Sequence, residues 1–134
     1  MRFVDTSFWV ALQASRDARH REAAALWRAE TRPLLTTNHV LGETWTFLRR
    51  AGGHRIALGF IDRVLALAAL RVHHVDERLE QDAWAWLRRR DEREYSFVDA
   101  ASFAVMRTLR VREALAFDGD FAAAGFIEVP PLGS

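Results

Sequence analysis

Four carboxylates sit inside apolar runs or directly at their ends, so a chain that buries those runs must also find a place for the charges. Asp5 closes Phe3-Val4, and Glu43 lies within Val40-Leu41-Gly42-Glu43-Thr44-Trp45. Asp99 stands between Phe97-Val98 and Ala100-Ala101, and Asp118 ends Ala114-Leu115-Ala116-Phe117. Carboxylates are rarely buried without a partner, because an ionised oxygen loses its hydration in the interior. Spread from one end of the chain to the other, the four predict a fold that draws them into a single acidic pocket.

The pattern around them alternates strand with helix. Residues 2–5 read as a short buried strand, after which Ser7 caps a helix to about Ala14. Asp17 caps a second helix, with Ala23, Leu26 and Trp27 on one face. Residues 33–37 form a strand, and Asn38 caps a helix to about Arg50 that Gly52-Gly53 breaks. A helix over residues 55–70 precedes a strand at 71–75. Asp76 caps a helix ending in Arg88-Arg89-Arg90, and Ser96 opens another to Leu109. Strands at 113–117 and 126–129 complete the chain. Such alternation predicts an α/β domain with a parallel sheet covered on both faces. The length of 134 residues fits one domain over residues 1–130, with a loose tail at 131–134.

Ligands of an open parallel sheet bind beyond the carboxyl ends of its strands, where Asp5 and Asp118 are expected. Asp99 is the third residue after Ser96, in a helix with few other polar residues that is expected to be buried. There the helix dipole favours an anion, and Ser96-Phe97-Val98-Asp99 also fits a capping box, so a cap role and a site role are both open. Glu43 shares a helical stripe with Val40 and Phe47 and is expected to be buried, either paired with Arg49 or Arg50 or functional. Asp120, beyond Gly119, reads by itself as a surface turn. Asp62, Asp82 and the run Asp91-Glu92-Arg93-Glu94 read as solvated.

Two carboxylates about 4 Å apart repel by roughly 4 kcal/mol at an effective dielectric near 20. Four do not stay ionised together without a cation. Oxygen-only ligation suits Mg²⁺ or Mn²⁺ rather than zinc. The histidines at 20, 39, 54, 73 and 74 lack zinc-site spacing, and there is no cysteine. Hard cations on carboxylates are a common device for cleaving phosphodiesters.

Net charge is only +1, yet all 19 basic residues are arginine. Genome composition accounts for that bias, and so does phosphate recognition by guanidinium forks. The lack of lysine excludes a P-loop ATPase, a receiver domain and a Schiff-base enzyme. No apolar run is long enough to span a bilayer, and Asp5 interrupts any signal-peptide core, so the expectation is a soluble cytoplasmic protein without a membrane.

Taken together, Val4-Asp5-Thr6-Ser7, Glu43 after Asn38-His39-Val40, Ser96-Phe97-Val98-Asp99-Ala100 and Phe117-Asp118-Gly119-Asp120-Phe121 resemble the PIN-domain ribonucleases, specifically VapC-type toxins of bacterial toxin–antitoxin pairs. No single piece is specific; all four in order over the whole chain are. The resemblance implies a PIN-like three-layer fold, a five-stranded parallel sheet flanked by helices. It implies Asp5, Glu43, Asp99 and Asp118 as catalytic acids, with Asp5, Asp99, Asp118 and Asp120 holding Mg²⁺ or Mn²⁺. Ser7 either holds a carboxylate or metal-bound water or merely caps its helix. Structured RNA loops are the implied substrate, the 23S rRNA sarcin–ricin loop ahead of tRNA. The implied partners are a cognate VapB-type antitoxin and a second copy of the chain in a homodimer.

For phosphate contact the clusters Arg49, Arg50, Arg55 and Arg88, Arg89, Arg90 are candidates, or else ordinary solvated helix ends. Trp84 lies off the apolar stripe of Leu79, Ala83, Trp86 and Leu87, which suits either a partner surface or packing on a neighbouring helix. Two rival readings stand: a metal-dependent phosphatase on small phosphate esters, and a non-catalytic module that binds RNA or antitoxin. A dehalogenase-type phosphatase would need an Asp where Ser7 stands.

Overall fold

The structure, a computed structural model, describes residues 1–133; Ser134, the last residue of the expected tail, lies outside the described residues. Strands and helices alternate as predicted: β1 (Arg2–Val4), α1 (Thr6–Gln13), α2 (His20–Ala29), β2 (Leu34–Thr37), α3 (Asn38–Gly52) and α4 (His54–Leu65). There follow β3 (Leu70–His73), α5 (Glu77–Leu87), α6 (Phe97–Leu109), β4 (Glu113–Leu115), α7 (Asp120–Ala123) and β5 (Ile127–Glu128). The strands form one sheet in the order β3-β2-β1-β4-β5, and every pairing is parallel.

That order decides where a ligand can bind. From the central β1 the chain first builds outward through β2 and β3, then returns to lay β4 and β5 on the other side. Connections therefore diverge between β1 and β4, which opens a crevice at the carboxyl edge. Val4 faces Leu115 across that pairing, and the Asp5 N–H donates to the Leu115 carbonyl at 3.1 Å.

The sheet is held by apolar burial. Phe3, Val4, Leu35, Ala114 and Leu115 are buried on the strands. Trp9 of α1 packs edge-on against Phe60 of α4 at 5.8 Å, and Phe103 of α6 meets Trp86 at 5.1 Å and Phe121 at 4.9 Å. Each such side chain contributes about 2–3 kcal/mol when fully buried. As expected, α6 is buried along almost its whole length, from Asp99 to Met106. The other polar residue of that stretch, Ser102, donates its hydroxyl proton to the Val98 carbonyl at 2.8 Å.

Several boundaries differ from the sequence reading. Asp5, not Ser7, caps α1; Thr37, not Asn38, caps α3, its Oγ1 accepting from the Val40 N–H at 3.1 Å. Asn38 instead accepts from the Val75 N–H at 2.8 Å, tying α3 to the loop after β3. Asp17 caps nothing; it accepts from the Arg19 N–H at 2.8 Å, and α2 begins at His20. Neighbouring residues such as Asp5-Thr6-Ser7 and Thr37-Asn38 are all competent caps, and the strand's last hydrogen bond decides among them. α4 stops at Leu65 because Leu70 is needed in β3 opposite Leu34. β4 ends at Leu115, short of Phe117, and the four-residue α7 went unpredicted.

Candidate active site

Asp5 is 2% exposed, at the point where β1 turns into α1. Its Oδ2 accepts both the Ser7 N–H at 3.2 Å and the Ser7 hydroxyl at 2.7 Å. The same Ser7 Oγ accepts the Phe117 N–H at 3.0 Å, so one hydroxyl joins the carboxylate after β1 to the loop after β4. Of the two roles open to Ser7, the geometry supplies the carboxylate-holding one.

Asp99 is 8% exposed in the first turn of α6. The capping box is present: Asp99 Oδ2 accepts from the Ser96 N–H at 3.0 Å and Ser96 Oγ from the Asp99 N–H at 3.0 Å. One carboxylate oxygen thus serves the helix, and the other is left for the cavity.

Asp118 is exposed in the loop beyond β4, three residues past Leu115. Its Oδ1 accepts the Asp120 N–H at 3.1 Å. Arg93 clamps this loop, with Nε donating to Asp120 Oδ1 at 2.5 Å and Nη2 to the Asp118 carbonyl at 3.0 Å. Gly119 between them has φ +80°, a conformation that favours glycine, and a Cβ there would lie 3.0 Å from the Arg93 guanidinium and press on the clamp. Carboxylate oxygens of Asp99, Asp118 and Asp120 all lie within 4.8 Å of one another, a set that does not include Asp5.

A cavity of about 330 Å³ is lined by all four predicted acids, Asp5, Glu43, Asp99 and Asp118, with Thr6, Ser7, Asp17, Arg19, Phe47 and Phe117 among its other walls. Burial and mutual repulsion mark it electrostatically. Burial, and then the charge of Asp118, push the Asp5 carboxyl up to about 8. Burial, and then the charges of Asp120 and Asp118, raise Asp99 to about 7 against the lowering pull of its Ser96 hydrogen bonds. Asp118 is also raised, first by partial burial of its carboxyl within an otherwise exposed residue and then by Asp120 and Glu128, although the Asp120 N–H works the other way. Such a pocket favours protons or a cation.

Glu43 departs from expectation. It is exposed, and among the described residues it forms no ion pair with Arg49 or Arg50. The inward stripe of α3 is Val40, Leu41, Thr44 and Leu48. Phe47, expected in the core, is 50% exposed, so Glu43 and Phe47 form the next stripe outward and face the cavity.

The predicted arginine clusters do not line the acidic cavity. Arg49, Arg50, Arg55, Arg88, Arg89 and Arg90 are all exposed. Arg50 lines a neighbouring groove of about 980 Å³ that shares Glu43 and Phe47 with the acidic cavity. Arg89 lies with Asp82 and Arg107 between α5 and α6, where Arg107 is about 12 Å along its helix from Asp99. Arg90 lies over the Trp86 ring at 5.0 Å. The guanidinium that does reach a site acid, that of Arg93, sits in a run that reads as solvated, and Arg19, which lines the cavity, is isolated in the sequence. Thr6, Asp17, Phe47 and Phe117 also enter the cavity unannounced.

Residues 2–127 match the family described as PIN domain. The chain is 57% identical over 131 residues to the 23S rRNA-specific endonuclease VapC20 of Mycobacterium tuberculosis, covering 98% of this chain and 99% of the relative. A crystal structure of M. tuberculosis VapC20, described as a sarcin–ricin loop cleaving toxin, superposes with a TM-score of 0.93 at 56% identity over 98% of this chain and 100% of the other. A toxin–antitoxin complex from Klebsiella pneumoniae shares the fold, with a TM-score of 0.69 at 17% identity over 97% of this chain and 98% of the other.

Proposed function

The chain belongs to the PIN-domain family, and from that premise we propose that it is a divalent-metal-dependent endoribonuclease toxin that cuts the 23S rRNA sarcin–ricin loop and is neutralised by a cognate antitoxin. One observation carries the reading: a 23S rRNA-specific endonuclease is 57% identical over 131 residues. The four acids gathered in one cavity are consistent with it.

The donor set fits Mg²⁺ or Mn²⁺. It is made of carboxylate oxygens, three of them within 4.8 Å; Thr6 lines the same cavity, and its hydroxyl is buried without a protein partner among the described residues. Asp99, Asp118 and Asp120 would hold the ion, with Asp5 in the same cavity as Asp99 and Asp118. When bound, the cation neutralises phosphate charge and acidifies water near neutral pH. The protein's own groups divide the rest. Ser7 fixes Asp5, and Arg93 fixes the Asp118–Asp120 loop. Glu43, exposed at the cavity and tied to no partner among the described residues, is the group placed to accept a proton from the attacking water. With water as nucleophile no 2′-hydroxyl takes part, so the products carry 5′-phosphate and 3′-hydroxyl ends.

A direct assay offers a synthetic sarcin–ricin loop, a tRNA and a chromogenic phosphate ester, each with Mg²⁺, Mn²⁺ or EDTA. The expected result is cutting of the rRNA loop at one position, dependent on metal, with those ends. Turnover of the ester alone would favour a phosphatase, and RNA binding without cutting a non-catalytic module.

Trp84 supports a protein partner. The stripe of Leu79, Ala83 and Trp86 is buried, whereas Trp84 stays 48% exposed with its ring 4.4 Å from that of Phe97. A half-exposed indole on an aromatic base suits a second copy of the chain or an apolar segment of the antitoxin. Trp84→Ala is expected to weaken dimerisation or neutralisation while preserving metal-dependent cutting. Unchanged sedimentation together with unchanged inhibition by the antitoxin removes Trp84 from the interface.

A further inference from the structure

Among the described residues lining the acidic cavity, Arg19 is the one cation. Its surroundings hold it there by three contacts. Its backbone N–H is fixed by Asp17 Oδ1 at 2.8 Å, and its guanidinium carbon lies 5.4 Å from the centre of the Phe117 ring. That ring is stacked in turn on Phe8 at 5.6 Å. Nη1 pairs with Glu22 at 3.1 Å, an exposed contact one helical turn away that secures little; among the described residues the other guanidinium donors have no hydrogen-bond partner. Phe117 is also the residue whose N–H reaches the Ser7 hydroxyl that holds Asp5. A continuous chain of contacts therefore runs from the buried carboxylate to the guanidinium. A second cavity, about 280 Å³, continues past Arg19 and Phe117 toward Pro130 and Pro131, so Arg19 stands where the two cavities meet.

An RNA phosphate entering a pocket of carboxylates is repelled, and a bound cation offsets only part of that repulsion. A guanidinium never deprotonates at working pH and offers a planar fork to two phosphate oxygens. We propose that Arg19 is the substrate-phosphate clamp of this site, its fork gripping the non-bridging oxygens of the RNA phosphate seated in the acidic cavity. The assignment rests on the endoribonuclease reading above. It differs from the arginine runs, none of which lines that cavity.

The test compares wild type, Arg19→Ala and Arg19→Lys in three measurements: cleavage kinetics on the rRNA loop across a salt series, RNA binding in EDTA by fluorescence anisotropy, and the melting shift caused by Mn²⁺. Arg19→Ala is expected to lower kcat/KM by about 10- to 100-fold, the range for losing a hydrogen bond to a charged group. Its binding should weaken and depend less on salt, with a log–log slope smaller by about one. Arg19→Lys keeps the charge without the fork and should recover part of the loss. The Mn²⁺ melting shift should be unchanged in both variants. Cleavage by Arg19→Ala within twofold of wild type overturns the assignment, and so does RNA binding as tight as wild type. A loss of cleavage that tracks a lost Mn²⁺ shift also overturns it, by showing that Arg19 acts on the shape of the acidic site. Wild type that cuts no RNA overturns the proposed function itself, and the EDTA binding comparison still judges Arg19.

Discussion

Asp99→Asn is expected to lower metal-dependent RNA cleavage by about 10²-fold or more, the scale of removing one charge-stabilising group, without costing the fold. Both halves follow from the two jobs of that carboxylate. Its Oδ2 caps α6 through the Ser96 N–H, and an asparagine oxygen can accept the same bond. Its negative charge, which in the proposed site helps Asp118 and Asp120 hold a divalent ion, is lost. Removing that charge also relieves repulsion, so the variant should melt no lower than wild type in EDTA. Mn²⁺ should then stabilise wild type more than the variant. Asp99→Ala separates the two jobs, since it also loses the reciprocal bond of the capping box and should cost about 1 kcal/mol of stability. Full nuclease activity in Asp99→Asn would remove Asp99 from the ligand set.

The metal-free protein is expected to lose stability as pH rises, and Asp5→Asn to flatten that loss. Burial holds the Asp5 carboxyl up at about 8 and Asp99 at about 7, whereas in the unfolded chain both ionise near 4. Between those limits the native state binds more protons than the unfolded state, so its stability falls with each step up in pH. Below pH 4 both states are protonated and the effect vanishes; above about 8 both are ionised and the penalty is complete. Each kcal/mol of penalty lowers Tm by about 4 °C for a chain of this size. A divalent cation competes with those protons, so its stabilising shift should grow over the same interval. Asparagine at position 5 can still accept the Ser7 hydrogen bonds but carries no charge. Its EDTA melting curve should be the flatter one and should lie above wild type at pH 8. A wild-type Tm in EDTA that is constant or rises from pH 5 to 8.5 would contradict this account of the acidic cavity.

Much of the architecture was legible in the chain. Apolar runs ending in a lone acid are read locally, and the alternation of strand and helix signals implies a parallel sheet whose carboxyl edge gathers the residues that follow its strands. Asp5 and Asp118 converge for that reason; Asp99 follows α5 rather than a strand, and the apolar character of α6 predicts its burial. The capping box was equally readable, because its two hydrogen bonds join residues three apart.

What the sequence did not reveal depends on rotation and on distant contacts. Glu43 shares helical spacing with a core valine, yet only the packing of α3 decides that Val40 turns inward while Glu43 and Phe47 face the cavity. Thr37 rather than Asn38 caps α3 because β2 keeps its pairing as far as Thr37, and Asn38 is drawn to Val75 by the β3 crossover. Arg93 reaches Asp120 across 27 positions of chain, and Arg19 reaches Phe117 only through the path of the α1–α2 connection. The chain by itself determined that Asp5 and Asp118 meet, since order along a parallel sheet carries strand-end residues to one edge. Only the tertiary structure decided which guanidinium groups face those acids, because a long exposed side chain has no periodic signal and takes its place from whatever surface the fold sets beside it.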